Sequence, residues 1–289
     1  MMRALQHGWQ EGLRAAAHAG NAASRSQLRR DYLLSRLLKL GRLPGYNRRR
    51  QVELDGMTVH YRFNRGDLQS LREVLIEEVY ACDLPFSPRT VLDLGANIGL
   101  TSLWLAGRVK AREADTPLCP APSEAEPFLL AVEPVPENAA VAEANFRANQ
   151  VPGAVVRAAV GQSTGEAWFD LRAESNLGRL CRDAGHPQGL RVPGVGIRDL
   201  LDRFPEGRVD LVKMDIEGGE EELLGHDTDW LGRVKALIVE WHDDRADSRP
   251  LIRNVEAAGF THRRINEPRQ DNLSLFWRMD AGRGAGRFD

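Results

Sequence analysis

The sequence predicts an α/β fold built on a doubly wound, mainly parallel sheet, and two stretches carry that prediction. In the first, the apolar run Val91–Leu94 predicts a buried strand, and Gly95 and Gly99 bracket a tight turn. Apolar residues at helical spacing follow over residues 98–106. In the second, Val209–Met214 is another apolar run with charged residues at its end. A strand, a glycine turn and a helix in this order form the first βα unit of a nucleotide-type fold.

The composition bounds the class of protein. The chain has 289 residues, of which 42% are hydrophobic, enough for one large α/β domain with an accessory N-terminal part. A net charge of −2 gives no sign of nucleic-acid binding. The cysteines Cys82, Cys119 and Cys181 lie far apart, which indicates neither a zinc site nor a disulfide framework and fits a cytoplasmic protein. We also expect no transmembrane segment and no signal peptide.

Composition shifts divide the chain into four regions. We expect a basic helical extension over residues 1–50, a hairpin and helix over 51–88, the main domain over 89–280 and a flexible tail over 281–289. The first region holds eleven Lys and Arg residues but only two acidic ones. Its helix either contacts a membrane surface, a carrier protein or another subunit, or caps the main domain with its arginines solvated.

Local patterns predict the elements before the main domain. Two alternating stretches flank Asp55-Gly56, a strong two-residue hairpin turn. The apolar spacing over residues 67–80 predicts a helix with Asp67 as its N-cap. Further along, residues 109–126 are rich in proline and charge, and we interpret them as an inserted surface loop.

The glycine turn departs from a dinucleotide fingerprint. Asn97 stands where the second glycine of G-x-G-x-x-G would be, and its side chain would crowd a pyrophosphate. Asp93, two residues before Gly95, suits the zwitterionic end of an amino acid instead. The turn therefore favours a ligand with an amino-acid group over a dinucleotide.

Polar residues follow several of the predicted strands. The second strand, residues 128–132, ends at Glu133, where doubly wound folds bind ribose hydroxyls. The third, residues 154–161, carries small residues such as Ala159. Charged residues also mark the ends of the two later buried strands; they are Lys213, Asp215, Glu217, Glu240 and His242. Since ligands bind beyond the carboxyl ends of such strands, we expect these groups to form one site.

Four strings resemble, in order, the motifs of the FkbM family of class I S-adenosylmethionine (SAM) methyltransferases. They are Asp-Leu-Gly-Ala-Asn-Ile-Gly at 93–99, Glu-Pro-Val-Pro-Glu-Asn at 133–138, Lys-Met-Asp-Ile-Glu-Gly-Gly-Glu at 213–220 and Glu-Trp-His at 240–242. The resemblance implies a Rossmann-like, doubly wound sheet of seven mainly parallel strands with an antiparallel terminal strand, preceded by the helical and hairpin extension. It implies SAM as the cofactor, with these candidate cofactor-binding residues: Asp93, Gly95, Ala96, Asn97, Gly99, Glu133, Pro134 and Ala159.

The resemblance also implies an O-methyltransferase that acts on a hydroxyl of a small molecule, a sugar or a natural-product scaffold. Such a hydroxyl benefits from a nearby base, for which His242 is the first candidate and Asp215 the second. Glu217 and Glu240 would orient the base or bind acceptor hydroxyls, and Lys213 would neutralise the acidic groups. The same carboxylates and imidazole suit Mg²⁺ or Mn²⁺, but the sequence does not favour a metal.

Alternatives from other functional classes remain open at this point. One is an oxidoreductase with a nucleotide cofactor, against which Asn97 counts. Another is a non-catalytic methyltransferase-like domain that scaffolds a complex, or forms a homo-oligomer, through its basic N-terminus. A nucleic-acid methyltransferase is disfavoured because the region after residue 50 is acidic, and phosphate binding needs a basic track.

Overall fold

The computed structural model of the protein describes residues 2–40, 43–115, 129–170, 179–181, 189–267 and 270–278. The predicted tail at 281–289 lies outside these residues. So do most of the predicted insertion and residues 171–178 and 182–188.

Thirteen strands and eight α-helices make up the described part of the chain. The strands are β1 (Arg49–Leu54), β2 (Met57–Arg62), β3 (Val91–Leu94), β4 (Leu129–Val132), β5 (Gly153–Val156), β6 (Ala159–Gly161), β7 (Gly165–Asp170), β8 (Arg179–Cys181), β9 (Gly189–Gly196), β10 (Val209–Met214), β11 (Val234–Glu240), β12 (Thr261–Arg264) and β13 (Leu273–Trp277). The α-helices are α1 (Met2–Ala17), α2 (Ala22–Ser35), α3 (Arg65–Leu71), α4 (Leu100–Asp115), α5 (Pro136–Ala148), α6 (Ile197–Leu201), α7 (Glu220–Leu224) and α8 (Ser248–Ala257).

The central sheet has seven strands in the order β12-β13-β11-β10-β3-β4-β5. Strand β13 runs antiparallel to both of its neighbours, and the other pairings in the sheet are parallel. This confirms the predicted doubly wound sheet of seven mainly parallel strands with an antiparallel terminal strand. The antiparallel strand lies one place in from the edge, because β12 pairs on its outer side.

Both faces of the central sheet are covered, as its continuous apolar runs require. In β3, Val91 faces one core, and Leu92 and Leu94 face the other. The first core also takes in the N-terminal helices and the hairpin. The second contains α6, α7 and α8. All four residues of β3 are buried, so the charge of Asp93 within it requires a partner.

The basic N-terminal helices pack on the hairpin rather than standing apart. Leu28 and Tyr32 of α2 are buried in the same core as the hairpin. Asp31, fully buried, accepts a hydrogen bond from the Tyr61 hydroxyl at 2.8 Å and lies 3.5 Å from Arg50. The extension thus shares one apolar core with the hairpin. In the described part of the chain, no helix has the length and apolar character needed to cross a bilayer.

The hairpin has the predicted turn. Asp55 and Gly56 both have positive φ, 45° and 78°, as a two-residue turn joining β1 to β2 requires. Two asparagines at the end of α5 then hold β2: Asn145 in the helix bonds the backbone of His60, and Asn149, which follows the helix, bonds the backbone of Thr58. The extension is therefore hydrogen-bonded to a helix of the main domain.

Several predicted boundaries are wrong. Asn64, not Asp67, caps α3: its side chain accepts the Asp67 N–H at 2.7 Å, while the Asp67 carboxylate binds Arg62. The helix changes to a π-helical segment at Arg72–Ile76 and ends before residue 80. Arg62, which is buried in the hairpin, thus binds the Asp67 carboxylate that the sequence analysis predicted to cap the helix.

Two further expectations need correction. The predicted third strand at 154–161 is in fact two strands. Strand β5 forms one edge of the central sheet, whereas β6 belongs to a second sheet of order β6-β9-β7-β8. Helix α4 runs to Asp115, so the first part of the predicted insertion is helical.

Candidate active site

A cavity of about 380 Å³ lies beyond the carboxyl ends of β3, β4, β10 and β11. Of the candidate residues, all but Asp93 and Gly99 line it. The structure thus brings the groups from four separate strings of sequence into one place. Its remaining wall includes Gln69, Ser70 and Glu73, from the helical segment before β3.

The glycine turn is required by contacts within the chain. Gly95 has φ of 76°, and a Cβ there would lie 1.7 Å from the backbone oxygen of Asp215. Gly99 has φ of 79°, and its Cβ would lie 3.0 Å from that of Ala142 in α5. These two glycines let the turn pack against β10 and let α4 pack against α5, which sets the shape of the cavity.

Asn97 sits at the tip of this turn with φ of 50°, a conformation that asparagine tolerates better than most residues. Its backbone N–H donates to Glu133 Oε2 at 2.8 Å. Its side-chain Nδ2 donates to the hydroxyl of Ser70 at 3.1 Å. The turn is therefore tied both to the end of β4 and to the helical wall.

Glu133 is held by three donors at the end of β4. Besides the Asn97 N–H, the Val135 N–H and the Asn138 side chain donate to its Oε1, at 2.9 and 3.2 Å. Burial nevertheless raises the pKa of Glu133 to about 7, against the lowering effect of these hydrogen bonds. A carboxylate offers about four acceptor positions, so about one remains for a ligand hydroxyl on the cavity side.

Asp93 lies behind the cavity wall and is fully buried. It accepts a hydrogen bond from the Ser102 hydroxyl at 2.6 Å. Lys213 Nζ lies 3.2 Å from Asp93 Oδ1 and donates to the backbone oxygen of Gly95 at 2.9 Å. Burial lowers the pKa of Lys213, but the charges of Asp93 and Asp215 outweigh it and raise that pKa. Lysine and aspartate thus form a charged pair beneath the glycine turn.

The cavity is also lined by a cluster of carboxylates around an imidazole. His242 Nε2 lies 3.6 Å from Asp215 Oδ1 and 3.6 Å from Glu217 Oε2. Glu217 also pairs with Arg245 at 3.0 Å. Glu240, at the end of β11, accepts a hydrogen bond from the Tyr80 hydroxyl at 2.8 Å. The five residues predicted as catalytic therefore line one cavity, with Lys213 beneath the glycine turn.

The protonation of this cluster reflects an excess of negative charge. Burial, followed by the charge of Asp215, raises the pKa of Glu217 and of Glu240 to about 7. Burial alone would lower the pKa of His242, but its hydrogen bond to Glu220 and the charge of Asp215 raise it to about 9. The carboxylates and the imidazole thus compensate one another within the protein.

A comparison with protein families identifies the family of this chain. The profile described as "Methyltransferase FkbM domain" matches residues 93–262, more than half of the sequence. The chain belongs to this family. The matched region runs from Asp93 of the glycine turn to His262 in β12, so it includes every residue predicted for the site.

Individual relatives of this FkbM methyltransferase are distant. The AMB antimetabolite synthetase AmbE of Pseudomonas aeruginosa is 29% identical over 199 residues, which are 60% of this chain and 9% of that protein. The chain therefore spans only a small part of this curated relative. A solved methyltransferase FkbM from Methylobacillus flagellatus is 15% identical with a TM-score of 0.46, covering 96% of this chain and 58% of the other. A putative O-methyltransferase from Klebsiella pneumoniae is 16% identical with a TM-score of 0.36, and the match covers 74% of this chain and 80% of the other.

Two residues of the FkbM site carried no role in the sequence analysis. Tyr80 is buried and also lies 3.3 Å from Asp215, and Glu220 is bonded to His242 Nδ1 at 2.9 Å. Glu220 was visible as the last residue of the third motif, but its partner comes from the next strand. Tyr80 follows the π-helical segment, and no local pattern indicates that its hydroxyl reaches β11.

Proposed function

We propose that this FkbM methyltransferase uses SAM to methylate a hydroxyl of a small molecule, a sugar or a natural-product scaffold. Family membership supports methyl transfer. The single observation that supports the finer proposal is that one cavity is lined by two groups of residues. The glycine turn with Glu133 forms its first end and the acid–imidazole cluster its other end, and the two adjoin where Lys213 contacts both Gly95 and Asp215. A cofactor and an acceptor would then meet in one place.

The residues at the first end fit SAM. Glu133 keeps an acceptor position for a ribose hydroxyl. Small side chains, Ala158 and Ala159, line the cavity after β5 and leave room for a flat ring. Ala96 and Pro134 complete this end. Bound SAM would supply an electrophilic methyl group on a sulfonium, and the protein would supply placement and charge.

At the other end, the protein would hold the acceptor hydroxyl and take its proton. His242 and Asp215, the candidates from sequence, are engaged: Nδ1 of the imidazole is bonded to Glu220, and the carboxylate contacts Tyr80 and Lys213. Glu217 has one oxygen, Oε1, with no hydrogen bond to the described residues. We therefore assign Glu217 as the general base and the other carboxylates as acceptors for neighbouring hydroxyls.

The acceptor class follows from this polarity. A wall of carboxylates that accepts several hydrogen bonds suits a molecule with more than one hydroxyl, as sugars and many natural products have. AmbE is, by its name, a synthetase of an antimetabolite, which favours a natural-product scaffold. No described residue of the N-terminal helices lines the cavity, so we assign the acceptor site no contribution from them.

Calorimetric titration with SAM and S-adenosylhomocysteine tests the cofactor. We expect both to bind, with affinity at least tenfold weaker in Glu133→Gln and unchanged in Glu143→Gln, a matched change on the exposed side of α5. Failure of the folded protein to bind either compound would overturn the proposal. For the acceptor, incubation with a panel of sugars and polyketides should yield a methylated product by mass spectrometry.

A further inference from the structure

We propose that Asp215, Glu240 and His242 form a binding site for a divalent cation of the Mn²⁺ type, which would hold the acceptor's hydroxyl oxygens. The second half of this statement rests on the proposed function, whereas the binding of the cation does not. The sequence did not favour a metal, and the arrangement of the side chains changes that view.

The spacing of the three ligand atoms suits one ion. One oxygen from each carboxylate and one imidazole nitrogen lie within 4.8 Å of one another. His242 Nε2 and Asp215 Oδ1 are 3.6 Å apart, longer than a hydrogen bond. Ligands about 2.1 Å from an octahedral ion are about 3 Å apart when adjacent and about 4 Å apart when opposite. Only small side-chain shifts would therefore bring all three onto a common ion.

The imidazole is oriented from behind, as in protein metal sites. Glu220, 2% exposed, is 2.9 Å from Nδ1 of His242. With Nδ1 donating to this carboxylate, Nε2 faces Asp215 and Glu217, and it would bind a cation in place of its proton. A buried carboxylate that fixes the tautomer of a histidine is the usual outer partner of a metal ligand.

Glu240 is held in a similar way. Tyr80 donates to its Oε2 at 2.8 Å, and the side chains of Gln270 and Asn272 donate to its Oε1 at 3.1 and 3.3 Å. These donors come from two separate segments of the chain and fix both oxygens of the carboxylate. Oε1 accepts two of the hydrogen bonds, so one lone pair remains on Oε2 for a cation. The ligands are thus set in place before any ion arrives.

The local charge leaves room for a divalent ion. Five carboxylates meet here: Asp93, Asp215, Glu217, Glu220 and Glu240. Only two permanent cations, Lys213 and Arg245, pair with them among the described residues. A divalent ion would supply two positive charges in place of the protons that otherwise compensate these carboxylates.

The ligand types select the class of cation. Two carboxylates and one imidazole, without sulfur, suit Mn²⁺, with Mg²⁺ favoured less because it prefers oxygen ligands alone. Three protein ligands leave octahedral positions open toward the cavity. An acceptor with two neighbouring oxygens would fill two of them, and its position would be fixed relative to Glu217.

Mn²⁺ binding can be measured without the enzyme reaction. Tag-free protein freed of metal would be titrated with Mn²⁺ and free ion followed by electron paramagnetic resonance. We expect one site per chain, with affinity at least tenfold weaker in Asp215→Asn and in His242→Ala. Asp244→Asn, which removes an exposed carboxylate two residues from His242, should leave affinity unchanged. Near-ultraviolet circular dichroism would verify that each variant is folded.

The result separates this inference from the proposed function. SAM titration in the presence of EDTA tests the cofactor site alone, and Mn²⁺ titration without SAM tests the cation site alone. No Mn²⁺ binding by folded wild-type protein, or binding that Asp215→Asn and His242→Ala leave unchanged, would overturn the cation site whatever SAM does. If Glu220→Gln also weakens Mn²⁺ binding while Glu221→Gln does not, the orienting role of Glu220 is supported.

Discussion

Lys213 and Asp93 occupy paired positions on the adjacent parallel strands β10 and β3, and Nζ lies 3.2 Å from Oδ1. Both side chains are almost completely buried, 2% and 0% exposed. Lys213 also donates to the backbone oxygen of Gly95. The pair therefore couples the centre of the sheet to the turn that shapes the cavity.

Breaking this pair should be costly. Removing one partner of a buried ion pair leaves the other charge uncompensated, typically at about 3–5 kcal/mol. We expect a loss of that order in the free energy of unfolding for Lys213→Met and a comparable loss for Asp93→Asn. The double variant should lose clearly less than the sum, since neither charge is then left alone. Urea unfolding of wild type, the two single variants and the double variant gives the coupling free energy between the two residues. Losses that simply add would contradict the prediction.

The raised pKa of Glu133 predicts a pH-dependent cost in stability. Below about pH 4.5 the carboxyl is protonated in the folded and unfolded chains alike. As the pH rises toward about 7, the unfolded chain ionises first, so the folded state loses stability, by roughly 3 kcal/mol in all. Glu133→Gln should remove this slope.

The measurement is the difference in unfolding free energy between pH 5 and pH 8. Between these two pH values, wild type should lose about 2–3 kcal/mol more of its unfolding free energy than Glu133→Gln does. Hydrogen bonds lost in the variant cancel in this difference. An equal difference in both proteins would show that Glu133 ionises normally.

Gly95 in the turn at the cavity and Gly107 in α4 should respond in opposite ways to substitution by alanine. Gly95→Ala places a Cβ 1.7 Å from a backbone oxygen at positive φ, and we expect a loss of at least about 3 kcal/mol. Gly107→Ala, in the exposed part of α4 with open space around the new Cβ, should gain about 0.5–1 kcal/mol. Thermal unfolding followed by circular dichroism compares them. Similar effects at both positions would refute the steric account.

The N-terminal helices should contribute unequally to stability. Leu28 of α2 is fully buried, so Leu28→Ala should cost about 2–5 kcal/mol. Leu13 of α1 is 39% exposed, and Leu13→Ala should cost less than about 1 kcal/mol. Guanidinium unfolding measures both. Comparable small losses would mean that α2 is not part of the cooperative core.

Sequence reasoning found the cavity because parallel strands place their carboxyl ends together. Glu133, Asp215 and Glu240 each follow a buried apolar run, so their convergence follows from the sheet alone. The hairpin was also predictable, because Asp-Gly between two alternating stretches is a strong signal of a two-residue turn.

Contacts between elements that are far apart in the sequence could not be predicted from the sequence alone. The pairing of Glu220 with His242 depends on how α7 lies against β11, and that angle is set by packing rather than by spacing. The role of Asp67 was misjudged because Arg62, five residues earlier, competes for its carboxylate. Asp93 has the right position in its motif, yet Lys213 holds it behind the wall. In each case a tertiary partner decides what a local pattern leaves open.

The place of β13 also bears on how the chain completes its fold during synthesis. Strand β12 pairs with β13, which itself inserts beside β11. While a ribosome is still making residues 261–272, β12 has no strand to join and the outer edge of β11 is open. An open edge invites pairing with other nascent chains. We therefore expect the interval before residues 273–277 emerge to be the step at which newly made chains depend most on chaperones.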